Sequence, residues 1–225
     1  ADNHFVRRRP DTYWLWIILI GGGLGALVYM AVEVAPDLSL VLNSMHRMSR
    51  RRRMRLLEAV VLENTAVGNI EELADLYLEE RQFARARGMY DKVLASHADS
   101  LDPFYRRGIA CLELGDASAA VTDLERVVAR APKYDSNRPI GLLPHACAQA
   151  GQTERPDATF KNAVAVSTLS ETYYNYATFL STQNRTGEAR EWTQKILANK
   201  ATLPRYLQRR ERPWYRKAKA LLKKL

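Results

Sequence analysis

The chain has 225 residues, 47% of them apolar and 26% charged, with 9 Pro, 11 Gly and 2 Cys. These proportions fit a folded domain with an appendage. They exclude a disordered or collagen-like chain, a disulfide-stapled scaffold and a four-cysteine metal site. A mean hydropathy of -0.34 excludes a polytopic membrane protein but not a single span. The net charge of +9 is unevenly placed: residues 46–55 hold six arginines and no acid, and residues 205–225 hold nine Lys/Arg and one Glu, whereas residues 56–204 net to -4. A nucleic-acid reader spreads its cations over a folded face, so this distribution speaks against nucleic acid as a partner.

Residues 1–12 are a short tail ending in Arg7, Arg8, Arg9, Pro10, Asp11 and Thr12. Tyr13 to Val32 then reads YWLWIILIGGGLGALVYMAV, without charge or proline. A helix of that length covers about 30 Å, the thickness of a bilayer's hydrocarbon, which predicts a transmembrane helix over 13–33. Tyr13, Trp14 and Trp16 cluster at one end and Tyr29 lies near the other, where amphipathic rings favour the headgroups. Glu33 and Tyr29 hold the -3 positions before Ala35 and Ala31, so no small-x-small cleavage site follows, and the segment reads as a retained anchor. Gly21 and Gly25 form a GxxxG pair suited to close approach of a second transmembrane helix.

Residues 34–66 read as an interfacial run (Leu38, Leu40, Val41, Leu42), a polybasic juxtamembrane stretch and a short amphipathic helix through Leu56, Leu57, Val60 and Val61. Arg50, Arg51, Arg52 and Arg53 suit an anionic lipid surface, or simply a stop-transfer signal. Three arginines precede the span and six follow it. The positive-inside rule then puts the N-terminus outside and the bulk of the chain in the cytoplasm, with a bacterial inner membrane as the preferred location and a mitochondrial membrane as the alternative. The stretch WLWIILIGGGLGALVYM resembles the N-terminal membrane segment of the phospholipase D nuclease N-terminal family. That resemblance implies an anchor and no catalysis. Phospholipase D chemistry uses H-x-K-x4-D, and none of His4, His46, His97 or His145 has Lys two positions later.

Over 67–204 the sequence repeats. Repeat one is marked by Ile70, Leu73, Ala74, Tyr77, Ala86, Tyr90 and Val93; repeat two by Phe104, Gly108, Cys111, Gly115, Ala120, Leu124, Val127 and Pro132. Repeat four is marked by Tyr173, Tyr176, Ala177, Leu180, Ala189, Thr193 and Ile196. A degenerate third copy (Ile140, Leu143, Cys147, Gly151, Phe160, Ala163) is shifted by two residues, with the insertion near Tyr134–Arg138. Ala86 and Ala120 are 34 residues apart. A small residue on the first helix of each pair (Ala74, Gly108, Ala177) faces a small residue on the second (Ala86, Ala120, Ala189), while bulky neighbours fill the gap to the next pair. One pair cannot bury its apolar face, but a stack can. The prediction is an all-α chain: one transmembrane helix, an α-solenoid of about four helix pairs and a helix over 205–225.

The period and size classes are similar to the tetratricopeptide repeat (TPR) family. The resemblance implies a groove lined by the first helices, which holds peptides or partner proteins. By register, its lining includes Glu71, Asp75, Tyr105, Ile109, His145, Tyr174 and Thr178. Members that bind chaperone tails carry Lys and Asn where Glu71 and Asp75 stand, so the resemblance implies a basic or mixed partner segment here, not an acidic tail. Two departures stand out. Arg107 occupies a Leu position, and Pro144 and Pro156 occupy positions of small helix formers, where a kink or shortened helix is expected.

In residues 205–225, Pro213 can open a helix that puts Trp214, Ala218, Leu221, Leu222 and Leu225 on one face. That helix reads as a cap on the last repeat, a membrane-surface helix or a dock for a partner subunit. Chemistry is not signalled: G-x-S-x-G, the P-loop, H-E-x-x-H and C-x-x-C are all absent. Cys111 and Cys147 hold the same core position in successive pairs and read as small buried residues. His145 and Cys147 alone do not make a zinc site, and no cofactor is implied. The sequence therefore points to a membrane-anchored adaptor or scaffold without catalysis, or alternatively to a constitutive subunit of a membrane complex, with other proteins, including membrane-complex subunits, as partners.

Overall fold

A computed structural model describes residues 35–96, 100–152 and 155–225, and every regular element among them is helical. The span predicted over 13–33, with Gly21 and Gly25, lies outside the described residues. Among those described, no helix is long and apolar enough to cross a membrane. The chain divides into a unit ending at Leu56 and a larger one over 57–225.

The first described element, α1 (Ala35–Glu63), is one 29-residue helix. The interfacial run, polybasic stretch and short amphipathic helix read separately from the sequence are thus one continuous helix. Pro36 sits in its first turn, where an amide has no helical partner, and nothing after it interrupts the hydrogen bonding. Arg51, Arg52 and Arg53 are exposed on it, and Arg50 is half-buried.

In the larger unit the helices come in pairs: α2 (Val67–Glu79) with α3 (Phe83–Ala95), α4 (Asp102–Leu114) with α5 (Ala117–Arg130), α6 (Arg138–Gln149) with α7 (Arg155–Val166), and α8 (Ser170–Thr182) with α9 (Thr186–Thr202). Helix α10 (Arg205–Leu222) follows. Each helix packs on the next in sequence, giving a solenoid. The small-against-small positions are closed to solvent: Ala74, Ala86, Ala120, Ala177 and Ala189 have no exposed surface, and Gly108 is buried. A methyl added to Gly108 would lie 3.3 Å from Leu124 Cγ, so this contact is already near its limit.

Every first helix ends the same way. Arg81, Gly115, Gly151 and Asn184 are left-handed (φ 61°, 79°, 76° and 58°). The following amides of Gln82, Asp116, Gln152 and Arg185 donate back to the carbonyls of Tyr77, Cys111, Cys147 and Leu180, at 2.8, 2.9, 3.0 and 3.0 Å. This closure satisfies end carbonyls that would otherwise lack a donor.

The two-residue insertion expected near Tyr134–Arg138 is a 3-10 turn over Tyr134–Asn137, with Asp135, Ser136 and Asn137 all left-handed. The proline positions of repeat three keep the pair intact. Pro144 lies inside the unbroken but short α6, and Pro156 sits in the first turn of α7, where its missing amide costs nothing. Both are buried. Pro213 does not open the last helix, as the sequence suggested. Pro204 stands at its N-cap, the helix starts at Arg205, and Pro213 lies exposed within it.

Arg107 has a clear reason for replacing Leu. Its Nε and Nη2 donate to both carboxylate oxygens of Asp123 at 2.8 and 2.7 Å, and its Nη1 reaches Asp91 at 2.7 Å. Asp123 is 2% exposed, so a charged fork replaces an apolar contact and ties α4 to α5 and α3. Repeats three and four are joined by aromatic rings instead: Phe160 stacks on Tyr176 at 5.1 Å and lies tilted 5.4 Å from Phe179, and within repeat four Trp192 lies 5.5 Å from Tyr176.

Candidate functional site: the face of the first helices

Four of the seven groove residues read from the sequence come together. Ile109 (α4), His145 (α6), Tyr174 and Thr178 (α8) line one cavity of about 280 Å³, with Leu142, Trp214 and Lys217. Burial lowers the pKa of His145, so its ring is neutral at pH 7. In that state a bare ring nitrogen accepts from the Gln149 side-chain amide at 3.1 Å. The cavity lining is mixed: Ile109, Leu112 and Leu142 lie with the Tyr174 and Trp214 rings, alongside Gln149, Asn175 and the charged Glu113, Glu171, Arg138 and Lys217.

Trp214 and Lys217 come from α10, which packs on α9 and α8. The Trp214 ring lies 5.7 Å from that of Tyr174, and the Lys217 ammonium sits 4.2 Å above the Trp214 ring. Trp214 follows a register present in the sequence but not used there: Ile109, His145, Thr178 and Trp214 succeed one another at 36, 33 and 36 residues. Helix α10 thus follows the register of a first helix. The sequence reading of this helix as a cap, a membrane-surface helix or a dock, with Trp214 on its apolar face, did not use that register.

Of the other three, Asp75 and Tyr105 belong to polar networks that link neighbouring pairs, and Glu71 lies beside the first of them. Asp75 accepts from Tyr90 at 2.6 Å and pairs with Arg106 at 3.3 Å. Arg106 also holds Asp102 at 2.5 Å, and Tyr134 donates to that same carboxylate. Burial raises the pKa of Asp75, against the pull of Tyr90 and Arg106. Glu71 is raised by burial and then by the nearby Asp75 and Asp102, and no side chain pairs with it among the described residues. Tyr105 donates to Asp135 at 2.5 Å, and its hydroxyl accepts from Arg138 at 3.3 Å. Arg138 in turn forks onto Glu171 at 2.6 and 3.2 Å, spanning the insertion turn, α6 and α8. The acidic character expected at Asp75 is therefore offset by the chain's own cation, and Arg138, Trp214 and Lys217 join the face without having been singled out from the sequence.

Cys111 and Cys147 are both buried, and burial pushes the Cys111 thiol up to about 11, which keeps it protonated at neutral pH. Among the described residues no group of three or more His, Cys, Asp or Glu is placed to hold a metal ion.

No family model and no curated protein matches the chain in sequence. Solved structures do match in shape. A MamA fragment from Desulfovibrio magneticus RS-1 is 20% identical with a TM-score of 0.61, over 73% of this chain and 93% of that one. YrrB, described as a TPR protein with an unusual peptide-binding site, is 16% identical with a TM-score of 0.55, over 71% and 81%. A kinesin light chain variant from Podosopora anserina with nearly identical TPR-like repeats is 20% identical with a TM-score of 0.59, over 73% and 92%. The fold is a TPR-type α-solenoid. At these identities the likeness is one of architecture, and it carries no ligand across.

Proposed function

We propose that the chain is a membrane-anchored TPR scaffold that holds a segment of a partner protein on the face of its first helices and does no catalysis itself. The observation that carries this reading is the convergence of α4, α6, α8 and α10 on one cavity, through side chains in equivalent register. A lining that combines aliphatic side chains, Tyr and Trp rings, amides and charges of both signs suits an extended segment of mixed character. The anchor rests on the uncharged run Tyr13–Val32 alone, and the bacterial inner membrane and cytoplasmic solenoid rest on the arginine asymmetry around it. Gly21 and Gly25 favour a second reading, in which the span packs against other helices as part of a fixed membrane complex.

Mild crosslinking and co-purification of the full chain from native membranes tests both. Tyr174→Ala is expected to lose a groove-held partner, and Glu71→Lys with Asp75→Lys to weaken one with a basic segment. Gly21→Leu with Gly25→Leu is expected to release only a partner held through the span. A partner set unchanged by all three would refute the scaffold reading.

A further inference from the structure

On the side of α10 turned away from the groove, a cleft of about 500 Å³ lies between α9 and α10. Its floor is Leu197 and Tyr215, and its walls carry Lys200, Arg209, Arg212, Arg216 and Lys219, with no carboxylate. Among the described residues no acid pairs with any of these five cations, and all five are exposed. Tyr215 is 5% exposed, yet its hydroxyl has no hydrogen-bond partner. A buried hydroxyl without a partner costs free energy, and such orphans are few in folded proteins. Burial, and then the neighbouring Glu211, raise the phenol's pKa, so it remains a donor.

The register explains why this face is open. With Trp214 equivalent to Thr178, the counterparts of Tyr173, Tyr176 and Leu180 on α8 are Arg209, Arg212 and Arg216. On α8 those positions face its own second helix, and the Tyr173 ring lies 5.3 Å from Trp192 of α9. On α10 the chain offers arginines where a further second helix would need apolar contacts. The surface that these residues present is cationic with an apolar floor. A plain solubilising cap needs polar residues, but not one sign only, nor an unsatisfied donor beneath them.

We infer that this cleft docks an acidic segment of a partner protein. Carboxylates would meet the five cations, and an apolar side chain of the segment would rest on Leu197. A lipid surface fits less well. The large exposed apolar residues of the described chain are Leu56, Val60, Leu62, Val67, Leu114 and Val166, none of them on α9 or α10. The apolar side of α10, Tyr215 and Ala218, is buried against the solenoid. An extended polyanion such as a nucleic acid would run onto a body whose net charge is -4 over 56–204.

The test is fluorescence anisotropy on the full chain in detergent, with a labelled glutamate-rich peptide that contains leucine as probe. Binding should weaken steeply with salt and fall about tenfold in Arg212→Ser with Arg216→Ser. A control pair elsewhere on the solenoid, Lys133→Ser with Arg190→Ser, should leave it unchanged. No binding, or an equal loss in the control pair, would overturn the inference. So would stronger binding of phosphatidylcholine–phosphatidylserine vesicles or of a single-stranded oligonucleotide that depends on Arg212 and Arg216.

Discussion

Repeats two and three build the same helix pair by different means. In repeat two Gly108 packs closely on Leu124 and Asp123, and an ion pair crosses between the helices from the half-buried Arg107 to the buried Asp123. In repeat three prolines stand at both small positions, and closeness is found instead toward repeat four, where a methyl on Gly141 would come within 2.2 Å of Thr172 Oγ1. Size and the closing left-handed turn therefore define the pair more than residue identity does. Repeat two depends on charge pairing within itself, whereas repeat three depends on its neighbour.

The largest effect should come from repeat two. Arg107→Leu restores the residue expected by resemblance but strands a buried carboxylate, so it should cost about 3–5 kcal/mol by chemical denaturation, and Asp123→Leu in the same chain should recover most of that. A consensus residue that stabilises by itself would show the pair to be dispensable. In repeat three, Gly141→Ala should cost about 1–3 kcal/mol, because helix α6 must move from α8. Gly88→Ala, with nothing near its added methyl, should be neutral or better.

Smaller effects test the shared turn and the groove acids. Arg81 holds the left-handed position that Gly115 and Gly151 hold elsewhere. Its ion pair with Glu113 is long, 3.5 Å, and exposed. Arg81→Gly should therefore raise stability by about 0.5–1 kcal/mol, seen as a higher Tm. Asp75 has a pKa raised in the folded state, so folding takes up a proton there. The resulting stability is full below the unfolded carboxylate pKa and lost as pH rises through the raised value. Asp75→Asn should flatten that slope in acid-range melts; an unchanged slope would assign it to other groups.

Much of the array is legible in the sequence because it depends on local size and period. The positions read from Ala74, Ala86, Tyr90, Ala120, Leu124, Ala177 and Ala189 are all buried, and the insertion near Tyr134–Arg138 is a turn. What the sequence does not disclose are pairings between repeats. Asp123 reads as a surface acid until Arg107 is seen opposite it, and Tyr134 reads as a loop residue until its hydroxyl is found on Asp102. Four residues of the shared cavity were legible from register alone. Trp214 was not, because proline and arginines hide that register in a segment that reads first as a basic tail.

Site-specific photo-crosslinking in native membranes tests the scaffold most directly. A photoreactive residue at His145, inside the groove, should trap a discrete partner that the same residue at Gln194, exposed on α9, does not. Equal adducts from both positions, or none from His145, would contradict it.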